Sequence, residues 1–410
     1  MDILFCDHLR VGSLAGASVH IYEVVSRLSK MGHNVVFLNG GCSQNGVGTK
    51  ANPRIPLWRR AEIRLLQWPV FQPFRGEITV LWRFLRELYI FLLAFFIIVR
   101  RKGRFHVIYR RHGLFNSESL LAKLFKIPSI KEVNGLVADE TKITKRGDRI
   151  SLRIIDRIER FNMPKADKII VVTPRLKEVL QRDYGVPENK IVVVPNGANT
   201  DLFKPMDIME AREELGLNRS DNYICLVGSL WQAQGVEYLI RAAPLILESY
   251  PNTRFLIVGD GPMKQELLEL TGQIDVSNRV IFTGMVPYQK VPLYVNASDV
   301  CVIGGTRERS ERSGVSPLKL CEYMACEKPV VASRISGLGV LEESNAGILV
   351  EPENPSELAT AIIKLLQNQE LRKQLGANGR KYVVENRSWE SVAKRVADVC
   401  EAAIMSYRRK

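Results

Sequence analysis

Short apolar runs along the chain alternate with stretches whose apolar residues recur every three to four positions. Residues 2–6 read as a strand, a Gly-rich loop follows at 12–18, residues 19–31 carry a helical stripe, and 34–38 reads as a second strand. Further strands are predicted at 107–109, 129–133, 168–172 and 191–194. Pro195-Asn196-Gly197 then makes a strong turn signal. Beyond it the alternation restarts, with strands at 224–227, 254–258, 280–283, 300–303, 329–332 and 347–350. Helices are predicted between them at 236–249, 263–272 and 317–326, then at 355–368 and through a long C-terminal region. Strands alternating with helices call for parallel sheets covered on both faces. Two such series predict an α/β chain of two Rossmann-like domains, 1–197 and 198–385, with a helix at 386–410 crossing back to the first. Ligands of doubly wound sheets bind beyond the carboxyl ends of the strands, so a cleft between two facing domains is the expected site.

Composition narrows the class. A length of 410 residues suits two domains of about 100–200 residues each. With 46% hydrophobic and 25% charged residues, the chain is not disordered, collagenous or a coiled coil. Seven scattered cysteines, without a CxxC or CxxH pair, argue against a disulfide framework or a structural zinc and fit a reducing cytoplasm. The first residues lack the basic and apolar regions of a signal peptide.

The net charge of +14 points to an anionic partner: phosphate ligands, acidic lipid or nucleic acid. Residues 50–111 hold 14 Lys and Arg against three acids, so most of the excess is local. The same stretch carries Trp58, Trp68, Phe71, Phe74 and Trp82, then an apolar run at 88–99 that ends in Arg100, Arg101, Lys102 and Arg104. Basic residues mixed with aromatics beside an apolar helix suit an interfacial segment on an anionic membrane. A buried helix with a solvated basic rim is the alternative. The run of twelve falls short of the ~20 residues that span a bilayer, so no transmembrane helix is expected. No nucleic-acid-binding motif accompanies the charge, and nucleic acid is not an expected partner.

The clearest chemical device lies at residues 313–325. Ser316 reads as an N-cap and Pro317 as the first helical residue. A helix N-terminus attracts anions, and a lysine in its first turn, Lys319, opposes the helix dipole unless an anion sits there. Glu322 falls three residues on, on the same side. A cation for phosphate and a carboxylate for sugar hydroxyls suit a nucleotide sugar; an ordinary capped helix with a Lys–Glu pair is the alternative. Three loops at strand ends join the picture: one holding Gly16, one at Gly259-Asp260-Gly261, and one at Gly284-Met285-Val286. Each has a plain alternative as a tight strand–helix turn. No DxD, HExxH, GxSxG or P-loop motif is present, so neither a carboxylate-held metal nor a serine nucleophile is expected.

These motifs resemble, in order and spacing, the family-4 glycosyltransferases of GT-B architecture. The resemblance runs from Gly16-Ala-Ser-Val-His20 and Gly32-His33-Asn34-Val35 through Val172-Thr-Pro-Arg-Leu-Lys177, Tyr184-Gly-Val-Pro187, Pro195-Asn-Gly197 and Asp201-Leu-Phe-Lys-Pro205. It continues through Val227-Gly228, Gly235-Val236-Glu237, residues 258–262, Phe282-Thr-Gly-Met-Val286, the SPxKLxEYMA run at 316–325, and Lys328-Pro-Val-Val331. It implies transfer of a sugar from a nucleoside-diphosphate donor, UDP- or GDP-linked, with retention of anomeric configuration and without a protein-bound metal or other cofactor.

Three charged donor contacts of the family are replaced here. Its usual Arg after Gly228 is Ser229, its Lys before Gly235 is Gln234, and the acid eight residues before Glu322 is Gly314. The resemblance therefore implies a subgroup in which Lys319, with Arg307, Arg309 or Arg312, compensates the diphosphate. The expected donor-binding residues are Gly16, Ser229, Gln234, Gly259, Val286, Gly314, Val315, Ser316, Lys319 and Glu322. Lys319, Arg111 and His112 are the expected catalytic residues, and Glu132 and Asn134, with Glu140 nearby, the expected acceptor contacts. The acceptor is expected to be a lipid-linked or saccharide hydroxyl at the cytoplasmic face of an anionic membrane, in surface polysaccharide or glycolipid synthesis. A non-catalytic sugar-nucleotide binder and a GT-B epimerase are the alternatives; a phosphorylase would show a pyridoxal-phosphate lysine motif, and none is found.

Overall fold

The computed structural model describes residues 1–7, 16–39, 79–115, 117–143, 149–307 and 313–409. The chain divides into two units, one of Met1–Val172, Leu176–Val194 and Ala393–Lys410, the other of Thr173–Arg175 and Pro195–Val392.

The first unit is built on β1 (Asp2–Asp7), β2 (Asn34–Asn39), β3 (Val107–Arg111), β4 (Ser129–Val133), β5 (Lys168–Val171) and β6 (Ile191–Val193). They form one sheet in the order β2-β1-β3-β4-β5-β6, with every neighbouring pair parallel. The second unit holds β7 (Asn222–Val227), β8 (Thr253–Val258), β9 (Val280–Gly284), β10 (Val300–Ile303), β11 (Val330–Ser333) and β12 (Gly347–Val350). Its order is β12-β11-β10-β7-β8-β9, again all parallel. Each sheet thus reverses its winding at its first strand, opening a crevice beside the carboxyl ends of β1 and β3 and of β7 and β10. In the second unit the central strands are mostly apolar because helices cover both faces: Leu226, Ile257 and Val302 pack in one cluster, and Cys225, Leu256 and Cys301 in another. Burial pushes the Cys225 thiol up to about 12, as in an inert core cysteine.

The apolar run at 88–99 belongs to a helix, Thr79–Arg100. Ile90, Ala94, Ile97 and Ile98 lie on one stripe and pack against Leu4, Cys6, Val36 and Leu38 of β1 and β2. The other side leaves Leu88, Leu92, Phe95, Phe96 and Val99 exposed. The helix is therefore core on one face and uncovered on the other. Among the described residues no helix is long and apolar enough to cross a membrane. Residues 50–78 of the expected interfacial stretch lie outside the described residues.

Under this helix sits a buried ionic network. Arg110 and Lys131 are register partners on β3 and β4. Arg110 pairs with Glu87 from helix Thr79–Arg100. Lys131 Nζ lies 3.1 Å from Glu118 of helix Ser117–Phe125, which also faces Arg110 at 3.7 Å. Each cation meets a carboxylate, which is what makes such burial tolerable; removing one partner would strand the other.

Candidate functional site

At the carboxyl end of β7, Gly228 adopts φ +145°. A Cβ there would stand 3.1 Å from Lys319 Nζ. The ammonium thus occupies the place a side chain would take. Lys319 Nζ also donates to Gln234 Oε1 at 2.9 Å. Gln234 closes a single 3₁₀ turn, Gln232–Gln234, and Gly235 at φ +64° turns the chain into helix Val236–Ser249. Cβ atoms at Gly304 and Gly235 would press on Gln234 O at 2.5 Å and Gly305 N at 3.0 Å. The loops after β7 and β10 therefore meet backbone to backbone at the reversal point of the sheet, with Lys319 beside them. Ser229 is exposed on the same loop.

Glycines make the rest of the rim. Gly259 has φ +141°, and its Cβ would stand 2.0 Å from Gly228 O. Gly259 N donates to Gly284 O at 3.0 Å, tying the loops after β8 and β9 together. Val286 follows, half-buried against the core.

The helix at Lys319 starts one residue later than the sequence suggests, at Leu318. Pro317 is its N-cap and no side chain caps it. Ser316 is not the cap: its hydroxyl accepts from Asn196 N at 3.1 Å, and its carbonyl from Asn196 Nδ2 at 2.6 Å. Thr173 donates to Ser313 O at 2.6 Å, and Val315 N to Ser336 O at 2.8 Å. Residues 313–316 are thus stapled from three sides. Gly314, at φ +66°, is enclosed: a Cβ would meet Ser336 Oγ at 3.0 Å and Thr173 Oγ1 at 3.4 Å. That backbone disfavours the acid found here in related enzymes.

One turn into the helix, Glu322 is 5% exposed. Tyr288 donates to its Oε1 at 2.8 Å. Burial pushes its carboxyl up to about 7, against the opposing pull of the Tyr288 hydrogen bond and the Lys319 charge. Lys319 and Glu322 each reach a side chain distant in sequence, which a simple local Lys–Glu pair does not describe. Arg307 pairs at the surface with Glu351 at 3.1 Å, while Arg309 and Arg312 lie outside the described residues.

In the first unit, the sequence candidates gather at the ends of β3 and β4. Arg111 ends β3 opposite Glu132 of β4. Glu132 is 1% exposed. Its Oε1 lies 2.8 Å from His20 Nε2 and accepts from Asn134 Nδ2 at 2.7 Å, and Tyr109 donates to its other oxygen. Burial would raise this carboxyl, but His20, Arg111 and the Tyr109 hydroxyl hold it down to about 2. Glu132 is therefore a buried anion organising its neighbours. His112 Nε2 lies 2.6 Å from Glu159 Oε1. The Glu159 carboxylate also accepts from Val137 N and Ala138 N at 2.8 and 3.2 Å, holding the start of helix Val137–Ile143. His112 is thus tied to the scaffold. Gly16 opens helix Gly16–Lys30 and is exposed; the other residues of its loop, 12–15, lie outside the described residues. The side chain of Glu140 is likewise outside the description.

His20, Tyr109, Glu159 and Tyr288 were not singled out from the sequence as site residues. His20 alone had a local signal, since it follows Gly16 at i+4 on a helix. Among the described residues no group of three or more His, Cys, Asp or Glu could hold a metal ion.

Two parallel six-stranded sheets in this order are the architecture of GT-B glycosyltransferases. Sucrose-phosphate synthase from Thermosynechococcus elongatus has the same fold, with a TM-score of 0.76 at 21% identity over 99% of both chains. Anabaena HepE, solved in complex with UDP-glucose, matches with a TM-score of 0.68 at 18% identity, over 98% of this chain and 100% of its own. Residues 207–382 match the family described as Glycosyl transferases group 1, and residues 14–202 match Glycosyltransferase Family 4. An uncharacterized glycosyltransferase of Methanocaldococcus jannaschii is 31% identical over 283 residues, 67% of each chain. The chain belongs to glycosyltransferase family 4.

Proposed function

We propose that this glycosyltransferase moves a sugar from a nucleoside-diphosphate sugar to a hydroxyl of a lipid-linked or saccharide acceptor, retaining the anomeric configuration and using no protein-bound metal. The observation that carries the reading is the pairing of Lys319 with Gly228 and Gln234 at the end of β7, with the buried Glu322 one turn further on. In this reading the Lys319 ammonium and the backbone of the Gly-rich rim face the diphosphate, Glu322 holds the ribose hydroxyls, and the chain near Val286 touches the base. The UDP-glucose bound by the Anabaena relative supports a donor of this class.

The step is a front-face displacement. The acceptor oxygen bonds to the anomeric carbon as the bond from that carbon to the leaving phosphate breaks, and the acceptor proton passes to a phosphate oxygen. Preorganised charge at the leaving diphosphate is commonly a large catalytic contribution. The 1–197 domain supplies the acceptor side through Arg111, Asn134 and His20, and 198–385 supplies the donor side. The uncovered face of helix Thr79–Arg100, with Arg100, Arg101, Lys102 and Arg104 at its end, supports peripheral association with an anionic cytoplasmic membrane face.

Incubation with UDP- and GDP-sugars, with and without a prenyl-phosphate-linked saccharide, tests the reading. Glycosylated product with a retained anomer is expected. Binding without turnover would favour a non-catalytic sugar-nucleotide protein. Release of free nucleotide and an epimerised free sugar, without acceptor, would favour an epimerase.

A further inference from the structure

A cavity of about 430 Å³ lies between helices Thr79–Arg100 and Ser117–Phe125 of the first unit. That is within the range of about 300–1,000 Å³ typical of small-molecule sites. Its apolar wall is made by Leu88, Phe91, Phe115 and Leu120, and Lys123 and Lys165 stand at its polar side. Leu88 and Leu120 are 41% and 58% exposed, so apolar surface faces the opening. The wall runs on along one helix face through Leu92, Phe95 and Phe96, all exposed. Scattered apolar residues on a surface are ordinary, but a continuous strip leading into a cavity marks a binding surface.

Two lysines line the same cavity. Lys165 lies over the Phe161 ring, its Nζ 3.1 Å from the centroid, and donates to the neutral Asn162 Oδ1 at 3.3 Å. Burial, then the like charges of Lys123 and Lys131, lower its pKa. The acids nearby are committed elsewhere: Glu87 to Arg110, and Glu118 to Arg110 and Lys131. Among the described residues neither Lys123 nor Lys165 forms an ion pair with a carboxylate. Phe115 and Ser117 of the lining lie in the connection and helix that follow β3, which ends at Arg111.

We propose that this cavity takes the hydrocarbon chain of an anionic lipid, with Lys123 and Lys165 facing its phosphate, and that the lipid is the carrier of the acceptor. The inference rests on the reading above that the acceptor is lipid-linked. An apolar wall with two lysines that no described carboxylate pairs complements an isoprenoid or alkyl phosphate; a neutral chain leaves the cations unanswered, and a free phosphate leaves the wall bare.

The full-length protein is labelled with a benzophenone-bearing geranylgeranyl phosphate, and the adducts are mapped by peptide mass spectrometry. Labelling is expected within 88–96 and 115–124. Leu120→Asp is expected to lower it at least tenfold, and Lys123→Glu with Lys165→Glu to lower labelling by the phosphate while sparing that by the corresponding alcohol. An unchanged melting temperature shows that each variant is folded. Labelling elsewhere, or equal labelling of the variants, overturns the cavity assignment. If the wild type then still glycosylates a prenyl-phosphate-linked saccharide, the wider functional reading stands without it. If the wild type is not labelled and acts only on soluble saccharides, the cavity assignment falls together with the lipid-linked acceptor, and transfer to a saccharide hydroxyl stands. A change from dimer to monomer in Leu120→Asp without any lipid labelling would make the strip a self-interface and sink the proposal.

Discussion

Lys319 and Gln234, 85 positions apart, share a hydrogen bond of 2.9 Å from ammonium to amide oxygen. A second cation at 234 would repel Lys319 at that distance, whereas an amide oxygen orients it. The amide carries no charge and so does not neutralise the ammonium. The glutamine is thus a fitting partner for the lysine rather than simply a lost donor contact.

Replacing Lys319 with Gln should reduce kcat by ten- to a hundredfold with a smaller change in donor KM. A hydrogen bond to a charged group is worth about 1.5–3 kcal/mol, and a contact that strengthens as the leaving group gains charge acts on kcat. Steady-state kinetics at saturating acceptor decide it. Near-normal kcat in this variant would move the role to other cations.

Donor affinity should weaken as pH falls below about 7. Burial raises Glu322 to about that value in the free protein, and binding ribose hydroxyls to its ionised form requires loss of the proton. One such proton changes affinity by up to about tenfold per pH unit. Calorimetric titration between pH 5.5 and 8.5 should show this slope in the wild type and a flat profile in Glu322→Gln, which binds more weakly at pH 8.

Gly314→Ala should lower stability by about 1–3 kcal/mol, because φ +66° is strained for a residue with a Cβ. Urea unfolding measures it. Gly314→Glu, restoring the acid of related enzymes, should be worse still and should not raise activity.

Transfer should survive chelation. Full activity after dialysis against EDTA is the expected outcome, and a loss reversed by Mg²⁺ or Mn²⁺ would overturn it.

Glu132→Gln should destabilise the protein at neutral pH by up to about 3 kcal/mol, taking the gap between the usual carboxylate value of 4.5 and about 2. A carboxyl held below its unfolded value stabilises the fold above that value and loses its contribution as pH falls through the folded one. The wild-type and variant melting curves should therefore converge between pH 4.5 and 2.

The fold was legible because most strands are largely buried and show as short apolar runs; β3 and β4, which carry Arg110, Arg111, Lys131 and Glu132, depart from that pattern. Strand edges moved by a residue or two, as at Asn222 and Arg111, where polar residues continue the ladder beyond the apolar run. Helix spacing was legible at Lys319 and Glu322, but their partners were not: Gln234 and Tyr288 come from other loops, and no local period encodes such contacts. Ser316 misled for the same reason. Its hydroxyl has the chemistry of a cap, and tertiary structure offered it Asn196 instead. Likewise His20 meets Glu132 across 112 positions. The sequence showed both residues and gave no sign that they touch.

The glycine rim carries a lesson for redesign. Where Gly259, Gly304 and Gly337 meet neighbouring main chain at distances no methyl group can share, the wall of the pocket is peptide and cannot be recoloured one side chain at a time. Attempts to change which donor is accepted have their freedom at exposed Ser229 and at Trp231, and at Gln234 only in concert with Lys319. Libraries aimed at those loop positions keep the cradle intact, while libraries that include the glycines spend most of their members on chains that no longer close it.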